Sequence, residues 1–152
     1  MSTVVNGLEE ITALAGADLG RTGWTEVTQE RVNMFADATG DHQWIHVDVE
    51  RAKAGPFGGT IAHGYLTLSL IPALVKECYS IEGGLRMAVN YGSDKVRFPA
   101  PVPVGSTIRA TAELVSVTEV VGGVQAVVRV TISGKDGGKP HCVADTITRF
   151  YV

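Results

Sequence analysis

The sequence predicts an α+β fold in which an antiparallel sheet curves around one apolar helix. The segment from Ile61 to Tyr79 is apolar around the whole helical axis and carries charge only at Lys76 and Glu77. A helix that is apolar on every side is expected to be buried on every side. The last third of the chain alternates apolar and polar residues, which is the pattern of half-buried strands. Strands of this kind packed around such a helix predict the α+β class.

The first third of the chain predicts a short lead-in and one amphipathic helix. Residues 4–14 fit a short helix or a loose lead-in, and residues 19–27 fit a short strand. Thr28 resembles a helix N-cap, because polar residues follow it and apolar residues then recur at helical spacing. Gly40 is expected to end that helix. Residues 41–60 sustain no period and are predicted to be irregular.

The strands follow the apolar helix in sequence. Pro72 is expected to kink that helix, because it removes a backbone donor and crowds the preceding turn. Gly122-Gly123 and Asp136-Gly137-Gly138 have the composition of hairpin turns. The predicted strands cover residues 85–98, 107–118, 125–133 and 141–151. Such a sheet has unpaired edges, and pairing with a second copy would cover them, so a homodimer is expected.

Length and composition predict one domain over residues 1–152 and exclude several classes of partner. The formal net charge of −3 provides no general attraction to nucleic acid or to an anionic membrane. Cys78 and Cys142 form neither a disulfide framework nor a metal-type pair, which indicates a reducing compartment. The longest apolar stretch is too short to span a bilayer, and the N-terminus lacks signal-peptide features. We therefore expect a cytoplasmic protein.

Asp41 and His46 are the first candidates for chemistry. In one interpretation, Asp41 only accepts backbone hydrogen bonds and His46 is a packed histidine. In the other, the carboxylate and the imidazole hold one water molecule between them as an acid/base pair. His42 and His46 have the spacing of metal ligands on a helix, but the segment follows a helix end. A third ligand would have to be Asp41 or His63, and no metal is predicted.

His63 and Gly64 stand at the start of the apolar helix. In one interpretation, Gly64 permits close packing or an unusual φ value, and His63 is a cap. In the other, the free N–H groups and the positive dipole end of the helix polarise a carbonyl oxygen, as an oxyanion hole does. A glycine would let the substrate approach the backbone.

Further candidates are cations and aromatic residues. Lys95 and Arg97 lie on the first long strand, where they either form a solvated face or receive carrier phosphates. Trp44, Phe57 and Tyr65 are either packing residues or walls of an acyl pocket.

Three segments together resemble the MaoC-like dehydratase family, which includes the (R)-specific enoyl-CoA hydratases. They are Phe35-Ala36-x-x-Thr39-Gly40-Asp41-x-x-x-Ile45-His46, then Ile61-Ala62-His63-Gly64, then Phe98-Pro99-Ala100-Pro101-Val102-x-Val104-Gly105. The family usually has Asn-Pro where this chain has Gln43-Trp44, and Gln43 would take over the positioning role of that Asn. The Gln-Trp-Ile-His version resembles a subgroup that includes nodulation protein N-like members.

The resemblance implies a dimeric hot-dog fold that hydrates trans-2-enoyl thioesters to (R)-3-hydroxyacyl thioesters, reversibly. It implies that Asp41 and His46 activate the water and deliver the proton, and that the Gly64 N–H stabilises the enolate oxygen. No cofactor is expected, because coenzyme A or acyl carrier protein is part of the substrate. The expected substrate contacts are Gln43, Trp44, Phe57, His63, Tyr65, Lys95 and Arg97. A hot-dog acyl-thioesterase and a non-catalytic acyl-thioester-binding module are the alternatives.

Overall fold

A computed structural model describes residues 2–152 and has the predicted α+β architecture. The helices of this region are α1 (Gly7–Ala13), α2 (Gln29–Thr39), α3 (Trp44–Val47), α4 (Val49–Lys53) and α5 (Gly64–Cys78). The strands are β1 (Thr3–Asn6), β2 (Asp18–Arg21), β3 (Thr25–Glu26), β4 (Tyr79–Glu82), β5 (Met87–Arg97), β6 (Thr107–Val120), β7 (Gly123–Gly134) and β8 (Cys142–Tyr151). No helix in residues 2–152 is both long enough and apolar enough to cross a membrane.

The main sheet has six antiparallel strands, and its order is β2-β6-β7-β8-β5 with β3 also paired to β6. The predicted alternation on β6 is confirmed, because Ile108, Ala110, Ala112 and Leu114 are all buried. Two hairpins join β6 to β7 and β7 to β8, at the predicted glycine-rich turns. The strand β5 occupies one end of the sheet and is exposed along most of its length.

The helix α5 packs against β2, β6 and β8, with Leu66, Ile71 and Leu74 among its buried residues. The expectation that this helix is buried on every side is wrong for the described chain. One stripe of α5 is exposed, and we call it the open face: Tyr65, Ser69, Pro72, Ala73 and Lys76. Ser69, Pro72 and Lys76 of this stripe line a cavity that is also lined by β4, β5 and β8, so the described chain leaves the stripe accessible. The helix continues through Pro72, and the kink there stays a prediction.

The N-terminal region differs from the prediction in two ways. Residues 4–14 divide into β1 and α1, and β1 pairs in parallel with β4. The strand predicted over residues 19–27 is interrupted between β2 and β3. The hydroxyl of Thr22 accepts a hydrogen bond from the Ala110 N–H at 3.0 Å and replaces a backbone acceptor of the ladder. A side chain that competes with the backbone in this way interrupts regular pairing.

The prediction for α2 is confirmed at both ends. The Thr28 hydroxyl accepts a hydrogen bond from the Arg31 N–H at 3.2 Å, which is an N-cap. Gly40 has φ of 81° in the left-handed region, and its N–H donates to the Ala36 carbonyl at 2.8 Å. The segment predicted to be irregular after Gly40 contains α3 and α4, which have 4 and 5 residues. Helices this short show no detectable period.

Candidate active site

The segment after α2, the helix α3 and the start of α5 bring three side chains together. One carboxylate oxygen of Asp41, one ring nitrogen of His46 and one ring nitrogen of His63 all lie within 4.8 Å of one another. Asp41 is exposed, whereas both histidines are buried. The cluster is therefore open to solvent at the Asp41 carboxylate and buried at the two histidine rings.

The backbone around Gly40 fixes Asp41. The hydroxyl of Thr39 accepts a hydrogen bond from the Asp41 N–H at 3.4 Å. The Gln43 N–H donates to Oδ1 of Asp41 at 3.3 Å. The Asp41 side chain keeps 55% of its surface exposed. Its second carboxylate oxygen is thus available to a ligand from solvent.

His46 presents one defined ring nitrogen to the cluster. The ring is 6% exposed, and its Nδ1 lies 2.7 Å from the carbonyl oxygen of Ile61. A carbonyl can only accept, so Nδ1 carries the proton and Nε2 of the neutral ring keeps a lone pair. Burial lowers the pKa of His46 most strongly, and the nearby His63 lowers it further. The bond to Ile61 and the charge of Asp41 oppose that shift. The net shift is downward, which suits a base at neutral pH.

Gln29 fixes the backbone of His46 from the first turn of α2. Its side-chain amide donates to the His46 carbonyl at 2.8 Å and accepts from the Thr60 hydroxyl at 2.6 Å. The Ile61 N–H donates to the Ile45 carbonyl at 3.0 Å in the same region. Sequence reasoning missed Gln29, and no motif signals it, because a glutamine in a first helical turn is ordinary.

His63 is the most enclosed member of the cluster, with 3% of its surface exposed. Its Nε2 donates to the main-chain carbonyl of Asp41 at 3.0 Å. Its ring stacks on that of His46, with centroids 3.9 Å apart and planes 25° apart. The ring of Phe35 contacts it at a tilt of 58°, with centroids 4.9 Å apart. Its Nδ1 has no hydrogen-bond partner within residues 2–152.

Gly64 begins α5 and offers an unused backbone donor. The N–H groups of Leu66 and Thr67 both donate to the His63 carbonyl, at 3.1 and 3.2 Å. Within the described chain, the Gly64 N–H has no hydrogen-bond partner, as expected for the first residue of a helix. A Cβ on Gly64 would come within 3.0 Å of the Phe98 ring. Phe98 therefore explains the glycine by close packing, and sequence reasoning had assigned Phe98 only to a motif.

The predicted aromatic contacts occupy two regions. Trp44 lies under the Arg51 guanidinium at 4.3 Å and packs against Gly55, so its ring is engaged by α4. Phe57 is an exposed residue of the loop after α4. Tyr65 is 73% exposed and lies edge-on to Phe98, 6.4 Å between centroids. Tyr65 is therefore beside Gly64, whereas Trp44 is turned toward α4.

The predicted polar contacts are all exposed, but they differ in the groups to which they are bonded. The Gln43 side chain is exposed, and its backbone N–H is the part that contacts Asp41. Lys95 lies on β5 with a positive φ of 53°, and its ammonium is 4.0 Å from Asp145. Arg97 is exposed at the end of β5, and its guanidinium donates to the Val96 carbonyl at 2.7 Å. Both cations lie on the exposed edge strand.

By donor type, the Asp41, His46 and His63 cluster could hold a divalent metal ion. The geometry of the rings does not suit one. Carbonyls already occupy Nδ1 of His46 and Nε2 of His63, which leaves one nitrogen on each ring. The His63 nitrogen that lies 4.0 Å from the Asp41 carboxylate is Nε2, which already bonds to the Asp41 carbonyl. The cluster is better suited to proton transfer.

Comparison with known proteins assigns most of the chain to one family. Residues 10–135 match the MaoC-like domain. The chain is 56% identical over 142 residues to 3-hydroxyacyl-thioester dehydratase Z of Mycobacterium tuberculosis H37Rv, covering 93% of each protein. It is 48% identical over 103 residues to nodulation protein N of Rhizobium leguminosarum, covering 67% of this chain and 64% of that protein.

A solved structure extends the likeness to the fold. The (R)-hydratase from A. caviae involved in PHA biosynthesis superposes with a TM-score of 0.71. The sequence identity is 22%, and the match covers 88% of this chain and 94% of that one. At this identity the similarity concerns the fold alone.

Proposed function

The chain belongs to the MaoC-like dehydratase family and has its hot-dog fold, and we propose that it hydrates trans-2-enoyl thioesters reversibly to (R)-3-hydroxyacyl thioesters. The 56% identical relative is named as a 3-hydroxyacyl-thioester dehydratase. Its name supports the broader class of activity, a hydro-lyase that acts on 3-hydroxyacyl thioesters. The observation that supports the finer proposal most is the convergence of Asp41 and His46 within 4.8 Å. The carrier is coenzyme A or acyl carrier protein, as part of the substrate, and no separate cofactor is proposed.

Asp41 and His46 would act on one water molecule. The free Nε2 of His46 takes a proton from the water, while the exposed carboxylate of Asp41 holds the second water hydrogen. The water oxygen then bonds to C3 of the enoyl group, and the proton that His46 took from the water is delivered to C2, which returns the ring to its neutral form. Proton transfer by a positioned pair contributes about 10²- to 10⁴-fold to rate. Dehydration is the same sequence in reverse.

Gly64 would stabilise the charge that develops on the thioester oxygen. Its N–H is unpaired within residues 2–152 and points from the start of a 15-residue helix. The positive end of the helix dipole favours an enolate oxygen at that position. A donor of this kind contributes about 10²- to 10³-fold.

The remaining predicted contacts would surround the acyl group and its carrier. Tyr65 is beside Gly64, and Phe57 is on the loop that precedes α5. Lys95 and Arg97 are exposed cations suited to carrier phosphates. The proposed substrate contacts are Gln43, Trp44, Phe57, His63, Tyr65, Lys95 and Arg97. In this proposal, the N–H of Gln43 performs the positioning of Asp41 that the family assigns to a side chain.

We also propose a homodimer formed through β5 and the open face of α5. The β5 edge exposes Met87, Val89 and Tyr91. A mostly apolar cavity of about 740 Å³ lies between α5, β5 and β8, and Pro72 of the open face lines it. A second copy would cover the strand edge and the open face together, which removes the unpaired edge.

The proposal is tested with purified protein and trans-2-enoyl-CoA substrates of increasing chain length. Hydration removes the absorbance of the conjugated enoyl group, and chiral analysis identifies the product. We expect loss of that absorbance, an (R)-3-hydroxyacyl product and no free thiol. Release of coenzyme A, detected with a thiol-reactive dye, would indicate a thioesterase. Binding without any absorbance change would indicate an acyl-thioester-binding module.

A further inference from the structure

His63 connects two parts of the cluster that otherwise lie on separate segments. Its Nε2 donates to the main-chain carbonyl of Asp41, so the start of α5 is tied to the segment after α2. Nε2 is also 4.0 Å from Oδ2 of Asp41. The side chain of Asp41 is 55% exposed, so packing around it does not fix its position. The bond from His63 therefore limits where the carboxylate can lie.

The ring of His63 also fixes the orientation of its neighbour. It contacts the tilted ring of Phe35 of α2 at 4.9 Å and stacks on His46 of α3 at 3.9 Å. The bond from His46 Nδ1 to Ile61 fixes one point of the His46 ring but leaves rotation about that point. A ring stacked at a centroid distance of 3.9 Å limits this rotation, because a larger tilt would bring atoms of the two rings too close together.

We propose that His63 is a positioning residue that holds the Asp41 main chain and the plane of the His46 ring. In this position, the Asp41 carboxylate and Nε2 of His46 face one water molecule. This inference rests on the proposed function, since it assumes that Asp41 and His46 act on water. This role needs little direct contact with the substrate, because only 3% of the His63 surface is exposed. Its buried Nδ1, without a partner in residues 2–152, is consistent with a ring held by stacking and a single bond.

The stack also couples the charges of the two rings. The titratable groups that face His46 are Asp41, from the segment after α2, and His63, from the start of α5. The contact of α2 with His46 is the uncharged side chain of Gln29, which bonds to the His46 carbonyl. His42 is exposed and is bonded to Asp37. At the short distance between the rings, a positive charge on one opposes a positive charge on the other. This effect of His63 acts to lower the pKa of His46.

Two substitutions separate the features of His63. His63→Phe keeps a stacking ring but removes the donor and the charge. His63→Gln keeps an N–H donor near the position of Nε2 but removes the ring. We expect kcat for enoyl-CoA hydration to fall about 10- to 100-fold in each variant, as for a misplaced catalytic group, with KM changed by less than about threefold. Both variants lack the charge of the His63 ring, so in both the acid limb of the kcat/KM profile should also move to higher pH.

His42→Gln is the matched control, because it removes an exposed histidine near the site that lies outside the stack. It should leave kcat and the acid limb unchanged. Folding of every variant is checked by circular dichroism and thermal unfolding. A packing role alone would lower the melting temperature without moving the acid limb. Folded His63→Phe and His63→Gln proteins with kcat within about twofold of wild type, or an unmoved acid limb in either variant, would overturn the inference.

A measurement on wild type keeps the inference testable if the variants fail to fold. NMR of the histidine rings should show His63 with its ring proton on Nε2, hydrogen-bonded and slow to exchange with solvent, because Nε2 donates to the Asp41 carbonyl. A His63 ring without a protected Nε2 proton would overturn the inference. An inactive wild-type enzyme would reject the proposed function instead, and the NMR result would still report on the bond from His63.

Discussion

At His46, two influences lower the pKa of the ring and two raise it. The enclosed position and His63 favour the neutral ring, whereas the Ile61 carbonyl and Asp41 favour the charged ring. The Ile61 bond also decides the tautomer, which leaves Nε2 as the nitrogen that can accept a proton. The role proposed for His46 in the reaction depends on these contacts more than on its identity as a histidine.

The lowered pKa of His46 predicts the pH dependence of hydration. The base must be unprotonated, so kcat/KM should rise with pH through the pKa of His46 and be fully developed at neutral pH. Because burial lowers that pKa, the acid limb should be centred below the ordinary value of 6.5. The measurement is kcat/KM for enoyl-CoA hydration across about pH 5 to 8. An acid limb centred above the ordinary value would contradict this account of the base.

At Gly64, the role of the backbone donor can be separated from the role of packing. Gly64→Ala and Gly64→Pro both add a Cβ near Phe98, but only the second removes the N–H. Proline is accepted at the first position of a helix, and His63 has φ −59° and ψ 138°, which suits a residue before proline. We expect kcat of Gly64→Pro to lie about 10²- to 10³-fold below that of Gly64→Ala. Equal kcat values in the two folded variants would show that the Gly64 N–H takes no part in the reaction.

Sequence motifs identify some residues of the candidate site and miss others. Asp41, His46 and Gly64 were found because their motif resembles a known family, and the structure places the first two together. Gln29 and the packing of Phe98 on Gly64 were not found, because they depend on contacts between residues more than 15 positions apart. Local spacing carries no information on such contacts.

Among the elements, α2 has the largest influence on the site. It contributes Gln29 and Phe35, and its left-handed end at Gly40 places Asp41. Its two ends were predictable, because capping residues act within one turn. The short helices α3 and α4 were not predictable, since 4 and 5 residues are too few to establish a period.

Removal of the cap should weaken α2 and the fold together. Thr28→Ala loses the acceptor for the Arg31 N–H, and we expect the free energy of unfolding to fall by about 1 kcal/mol. Urea denaturation followed by circular dichroism measures the change. Thr28→Ser keeps the hydroxyl and should be close to wild type. A Thr28→Ala protein as stable as wild type would show that the cap adds nothing to the fold.

Over the whole molecule, the unexpected feature is the open face of α5. An all-apolar helix was predicted to be enclosed, and the described chain encloses only part of it. The sequence shows that α5 is mostly apolar around its axis, but it does not show which chain covers each side. In the proposed homodimer, the second copy covers the side that this sheet leaves open.

A charge on the open face should therefore weaken self-association without affecting the fold. Ala73 is exposed in the described chain, and glutamate is a good helix former, so Ala73→Glu should fold. Burial of the new carboxylate between two copies should raise the dimer dissociation constant at least about tenfold, or about 1.4 kcal/mol. Analytical ultracentrifugation measures it. Ala13→Glu places the same charge on α1, outside the open face, and should not change association. Unchanged association of Ala73→Glu would exclude the open face from the dimer interface.

The most direct test of the central claim, that Asp41 and His46 act together on one water, is crotonyl-CoA hydration by Asp41→Asn and His46→Gln. Both substitutions keep the size of the side chain but remove the carboxylate charge or the ring base. We expect each variant to keep the circular dichroism spectrum and association state of wild type and to lose at least about 10²-fold in kcat/KM. Near-normal hydration rates in both folded variants would contradict the account.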